Sequence, residues 1–187
     1  MHIKWVLWRI SCKFIMKQQQ QIAIINDNFL TDSHITALSS LWIEYNKVHW
    51  LGTDVESTNP LHQLMEKTKP NNIVSGATAW YNIRPINPVE HNDIDSYCKN
   101  TWPKKPPKDT FTYYLKEAST GGELHLENGE IINCVRNRLI KFPADLRHRV
   151  SHYEGNRVSI GIIWWYDTPF AKDTKRNNWL VLERPWE

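Results

Sequence analysis

Apolar positions along the chain change their period near residue 73. Before it, Ile35, Leu38, Leu41, Trp42 and Tyr45 recur at helical spacing, and Thr31 or Asp32 can cap the helix they predict. A second short helix is predicted at "NPLHQLMEK", with Asn59 as cap, Pro60 in the first turn and Leu61, Leu64 and Met65 as its buried face. Ahead of both, "IAIIND" (22–27) reads as a strand. From Ile73 the period shortens to two. "IVSGATAWYNI", "DTFTYYLKE", "GGELHLE", "NRLIKF", "RHRVSHY" and "NRVSIGIIWWYD" are short, β-branched and aromatic, and parted by Gly, Pro, Asn and Asp. In the last, Val158, Ile160, Ile162 and Trp164 alternate with Arg157, Ser159, Gly161 and Ile163, which gives the strand two distinct faces. The pattern predicts a mainly β fold, a sandwich or a jelly roll, with supporting helices at the N-terminal side.

Composition narrows this picture. A chain of 187 residues, 41% hydrophobic and 23% charged, can bury one real core but not two comfortable ones. Ten tryptophans suit a β-rich fold with a broad cavity. The net charge of +3 is small and its basic residues are dispersed, which gives no call for nucleic-acid binding. Cys12, Cys98 and Cys134 form no CxxC pair and fit free thiols in a reducing compartment. No apolar run approaches the roughly 18 to 20 residues of a membrane span, so a cytoplasmic protein is expected. Residues 1–21 are read as an N-terminal arm, either amphipathic or an upstream extension with the natural start at Met16, because Arg9 and Lys13 interrupt any signal-peptide centre. Residues 22–187 are read as a single domain. "HWLGTDVESTNP" and "WPKKPPKD" are expected to be surface loops near the site.

Candidate chemistry starts at "VEHNDIDSY". His91 and Asp93 lie two apart, so on a strand both side chains project from the same face and can reach one ion. Such a pair alone is weak, because it occurs by chance in many proteins. Downstream, His148 opens one predicted strand, and Arg157, nine positions later, opens the next. Two histidines and one carboxylate on one face of a metal leave three coordination sites open, as in non-haem Fe(II) oxygenases. Rival donors are His125 with Glu127 in "HLE", read as solvent-facing, and His152, which leaves little room for the turn before Arg157.

In "HND", "YYL" followed by "GGEL", "RLIKF" six residues before His148, and then "NRVSI", the chain resembles the Fe(II)- and 2-oxoglutarate-dependent oxygenases, in their prolyl-hydroxylase-like branch. The resemblance spans roughly Ile73 to Tyr166. It implies a double-stranded β-helix, the cupin-like form of the jelly roll. It further implies that His91, Asp93 and His148 hold Fe(II), and that Arg157 pairs with the distal carboxylate of 2-oxoglutarate. Ser159, Tyr81 and Tyr114 match positions that line the cosubstrate pocket. The expected activity consumes O2 and 2-oxoglutarate, releases succinate and CO2, and hydroxylates a C–H bond, with a prolyl residue of a protein or peptide as the foremost substrate and a small molecule as the other substrate class left open. Two other readings remain: a non-enzymatic jelly-roll module that binds carbohydrate or peptide, and a cupin-type metalloenzyme that does not use 2-oxoglutarate.

Overall fold

Short strands dominate the computed structural model, which describes residues 21–41, 47–52, 58–72, 74–83, 89–93, 107–166 and 179–183. The first half holds β1 (Ile24–Asn26), α1 (Asp32–Ser40), β2 (Lys47–Gly52), α2 (Pro60–Lys67), β3 (Gly76–Asn82) and β4 (Asp109–Lys116). There follow β5 (Thr120–Gly121), β6 (Leu124–Leu126), β7 (Ile131–Ile132) and β8 (Arg138–Pro143). The chain then adds β9 (His148–Val150), β10 (Tyr153–Glu154), β11 (Val158–Trp165) and β12 (Trp179–Glu183).

Seven strands form one antiparallel sheet in the order β1-β8-β4-β11-β3-β2-β12, with a three-stranded sheet β7-β6-β9 and the pair β10-β5 beside it. In the large sheet only β2 and β3 are neighbours in both sequence and space. The other pairings need crossovers between sheets, which makes the fold a jelly roll of the double-stranded β-helix type.

Side-chain alternation divides the large sheet into two faces. Ile160 stands opposite Tyr81 and Tyr113. These residues, with Ile162 and Trp164, form one core with Leu38 of α1 and Leu61, Leu64 and Met65 of α2. Ser159 stands opposite Tyr114 and Asn82 on the other face. There Tyr114, Ile140 and Phe142 pack against Leu124, Leu126 and Ile132 of the small sheet. Each fully buried side chain of this size contributes about 1.5–3 kcal/mol of transfer free energy. Gly161 is needed on the inner face, because a Cβ there would come within 2.4 Å of the Trp80 ring.

Both helices start as expected. The Thr31 side chain accepts from the His34 amide at 3.4 Å, and the Asn59 side chain accepts from the Leu61 amide at 2.8 Å, with Pro60 opening α2. Helix α1 is shorter than its pattern predicts and is capped at Leu41. Trp42 and Tyr45 lie outside the described residues, as do Cys12, Cys98 and residues 1–20 of the N-terminal arm. Two further expectations need correction. Residues 49–52, read as a loop, belong to β2, which pairs with both β3 and β12. The segments "GGELHLE" and "RHRVSHY" are each broken in two, the first between Gly121 and Leu124 and the second between Val150 and Tyr153. Residues 53–57 and 102–106 of the two expected loops are outside the described residues. No helix among the described residues is long and apolar enough to cross a membrane.

Asn137 ties the N-terminal segment to the sheet. Its buried amide accepts from the Leu30 amide at 2.8 Å, donates to the Leu30 carbonyl at 2.8 Å and accepts from the Tyr113 hydroxyl at 3.1 Å. Its φ of 63° lies in the left-handed region, which asparagine tolerates better than most residues. Asn137→Ala removes three partners and adds strain, so urea unfolding should show a loss of about 2–4 kcal/mol. Asn137→Gly, which relieves the strain, should lose less. An unchanged midpoint for Asn137→Ala would show that this amide does not clamp the fold.

Candidate metal centre

His91 and His148 meet across a single antiparallel bridge. Each backbone N–H donates to the other's carbonyl, at 3.0 Å from His91 and 2.7 Å from His148. Asp93 sits in the turn that follows, with its amide donating to the Ala144 carbonyl at 3.2 Å. The expected regular strand under the His-x-Asp pair is therefore absent. A bridge and a turn do its work, and the three side chains still converge. One donor atom from each of His91, Asp93 and His148 lies within 4.8 Å of the others.

Hydrogen bonds orient both rings. His91 Nδ1 is 2.9 Å from the Val89 carbonyl, and His148 Nδ1 is 3.0 Å from the Leu146 carbonyl. A carbonyl oxygen only accepts, so each Nδ1 carries a proton, and in the neutral form of the ring that tautomer leaves Nε2 bare. Both Nε2 atoms are 3.9 Å from an Asp93 carboxylate oxygen. That is beyond a hydrogen bond but close to the spacing of two donors on one ion (roughly 3 to 4 Å when each is about 2.1 Å from it). Burial pushes the pKa of His148 below the ordinary histidine value, against the opposing pull of Asp93. This favours the neutral form a metal requires. Asp93 is 5% exposed, and its Oδ2 is buried without a hydrogen-bond partner. A buried carboxylate with one orphaned oxygen, its two oxygens facing the Nε2 atoms of two imidazoles, fits a divalent cation. The ring of His148 packs edge-on against Phe142 at 4.9 Å, which holds it in the inner core.

Arg157 immediately precedes β11 and is 2% exposed. It forms no salt bridge among the described residues, and its Nε has no hydrogen-bond partner. The Tyr114 ring is 5.1 Å and the Tyr153 ring 5.3 Å from the guanidinium carbon, within cation–π range. The hydroxyls of Tyr114, Tyr153 and Ser159 are likewise buried and unpartnered. Burial holds the Tyr114 pKa up at about 12, with the Arg157 charge opposing, so the phenol keeps its proton and can donate. A buried, unpaired cation is costly, and a carboxylate would answer it. Gly122 makes room for the arginine stem: a Cβ there would stand 2.9 Å from Arg157 Cδ, and its φ of +80° disfavours other residues.

The structure brings His91, Asp93 and His148 together, and separately Arg157, Ser159 and Tyr114. It does not bring Tyr81 to either set. Tyr81 stands opposite Ile160, one residue out of phase with Ser159, so its ring belongs to the core on the helix side of the sheet. The rival donors fall away from the centre. His152 is exposed between β9 and β10, and Glu127 is exposed beyond β6, so neither joins a three-donor group. Tyr153 was not foreseen. The signal available for it was the turn "EGN", where Gly155 has a φ of +86° and folds β10 back beside Arg157.

No family model matches the sequence, and no curated protein does. Solved structures do match in shape. A prolyl-4-hydroxylase from Pseudomonas putida superposes with a TM-score of 0.57 at 14% identity, over 80% of this chain and 95% of that one. The viral collagen prolyl hydroxylase of Paramecium Bursaria Chlorella virus-1, in its 2OG complex, gives 0.53 at 17% identity, over 78% and 96%. A prolyl hydroxylase from Trichoplax adhaerens, in complex with a peptide fragment of the hypoxia inducible factor oxygen degradation domain, gives 0.54 at 18%, over 79% and 84%. The chain therefore has the jelly-roll fold of the prolyl hydroxylases.

Proposed function

We propose that the protein is an Fe(II)- and 2-oxoglutarate-dependent dioxygenase, a hydroxylase that acts on a prolyl residue of a protein or peptide. One observation carries this reading: a three-donor metal group, with Asp93 and His148 buried and His91 at its exposed edge, occurs in one fold with a buried arginine that has no carboxylate partner among the described residues. The first feature alone would fit many metalloenzymes, and the second gives the 2-oxoglutarate requirement its physical reason.

His91, Asp93 and His148 would hold Fe(II), with the two Nδ1–carbonyl bonds fixing the tautomers and Asp93 supplying the negative charge. Bound Fe(II), with 2-oxoglutarate and O2, would supply the oxidising power for hydroxylation, with release of succinate and CO2. Arg157 offers a planar, permanently charged fork to the distal carboxylate, and Tyr114 and Ser159 add hydroxyl donors. Tyr153 joins them on the strength of its position beside the guanidinium. Tyr81 is left out of this set. The side chain of His91 is 48% exposed while those of Asp93 and His148 are 6% and 8%, so the centre opens to solvent on the His91 side. An opening on one side suits a substrate residue presented by a polypeptide, and the peptide bound to the Trichoplax structure supports the same class.

Removing the carboxylate should cripple the centre. Asp93→Ala should weaken Co(II) binding, followed by visible absorption, by roughly 100-fold or more, beyond the usual cost of losing an outer-shell partner. Undiminished affinity would mean that the metal, if bound, sits elsewhere.

The cosubstrate is tested under anaerobic conditions. Protein loaded with Fe(II) should gain a visible charge-transfer band on addition of 2-oxoglutarate, and His148→Ala should abolish it. Arg157→Met should shift the 2-oxoglutarate titration by about 10- to 100-fold while leaving Fe(II) affinity intact. A folded, metal-loaded protein without the band would point instead to a metalloenzyme that does not use 2-oxoglutarate. A folded protein that takes up no metal would point to a binding module.

A further inference from the structure

The helix side of the large sheet carries a cleft of about 400 Å³, separated from Arg157 by the thickness of the sheet. Its floor is apolar and comes from Phe111, Leu139 and Trp164 of β4, β8 and β11. Its rim is basic. Lys67 and Lys69 come from the end of α2 and just beyond, Lys108 from the residue before β4, and Lys141 from β8. Against these four stand one lining carboxylate, Asp109, and Glu66, which pairs with Lys69, so the described rim keeps a formal charge of +2.

The walls are tied in place. Trp164 Nε1 donates to Thr68 Oγ1 at 2.9 Å, and Thr68 in turn donates to the Met65 carbonyl, which pins the lysine-bearing segment to the sheet. The Lys69 ammonium stands 5.9 Å from the Trp164 ring, and that of Lys141 stands 5.8 Å from the Phe111 ring. Lys141 pairs with Asp109 at 3.0 Å and Lys69 with Glu66 at 3.5 Å, whereas Lys67 and Lys108 enter no salt bridge among the described residues. The cationic groups are all ammoniums, with no guanidinium fork among them. Lysine ammoniums bind phosphate as point charges, and several of them on one rim suit a multiply charged anion.

Two features go beyond charge. Phe29 and Tyr166 line the cleft and are partly exposed, which leaves aromatic surface for a flat ring. Asn26, Asn71 and Asn72 also line it, and each amide offers both a donor and an acceptor, as the edge of a heterocyclic base requires. The volume is that of a pocket for one small molecule, not of a groove that tracks a polymer.

We propose that this cleft binds a nucleotide, with phosphates on the lysine rim and the base against Phe29 and Tyr166. The site is independent of the oxygenase reading, because none of its lining residues belongs to the metal or arginine sets.

Isothermal titration of the full chain with ADP at low ionic strength tests it. ADP should bind in the micromolar range, with adenosine and pyrophosphate each weaker by about tenfold or more, since neither fills both halves. The double variant Lys67→Ala/Lys108→Ala should weaken ADP by about tenfold or more, while Lys116→Ala, at the far end of β4, should stay within about twofold. Both substitutions are at exposed positions, and unchanged thermal unfolding verifies that the fold is intact. The proposal is overturned by any of four results: no heat with ADP up to about 1 mM; equal weakening by Lys116→Ala; displacement of ADP by 2-oxoglutarate; or a 15-mer of thymidine that binds far more tightly than ADP.

Discussion

A strand buried on both faces has no water to satisfy its backbone, and β11 is such a strand throughout. Its ladder bonds come from β3 on one side and β4 on the other, so those two strands must be in register before the centre of the fold can close. The site depends on the same constraint. Arg157 directly precedes β11 and Ser159 lies within it, while Tyr114 is fixed opposite Ser159 by pairing with β4. Register there shifts between Val158 and Ser159, the kind of local irregularity that re-aims side chains beside functional sites. A guanidinium is held in the interior because the strand that delivers it is locked, and the aromatic rings flanking it lower the cost of its burial.

Much of this was legible in the residues, because the chemistry of the site uses side chains that are scarce in combination. Two histidines and an aspartate, with an arginine nine positions after the second histidine, are visible without coordinates. The caps of both helices were equally plain, since Thr31 and Asn59-Pro60 serve local hydrogen bonds that need no tertiary partner. The face assignment of Tyr81 was not legible. In a strand one residue of phase reverses the direction of a side chain, and "WYN" offers no local signal for which of its three positions faces inward. Trp80 and Asn82 take the inner face and Tyr81 the outer one. Strands β2 and β12 were missed for a related reason: each is supported by the other over a distance of more than a hundred residues, with no hairpin turn to announce the pairing. The lysine cleft has no signature in the chain at all, because its cations are gathered from positions 67 to 141 by folding alone.

The two faces of the large sheet divide the molecule by purpose. The inner face carries the unpartnered hydroxyls and the buried charge, and so accepts poor satisfaction of its polar groups. The outer face buries the helices in an apolar core that includes Leu38, Leu61 and Leu64, each with no exposed surface. Stability on one side can thereby offset the cost of polar burial on the other, the usual relation between a site and its scaffold.

The reciprocal backbone bonds between His91 and His148 bear on how the centre comes into being. These bonds are made by peptide groups, not by the imidazoles, and the rings are held by carbonyls of Val89 and Leu146. The arrangement of the three side chains thus rests on hydrogen bonds within the protein. A centre supported in this way would not need a metal in order to fold, in contrast to small zinc domains that order only on loading. An ion taken up there would be an exchangeable part, and its identity would be decided by cellular supply and by intrinsic affinity among divalent metals rather than by a folding step that selects iron.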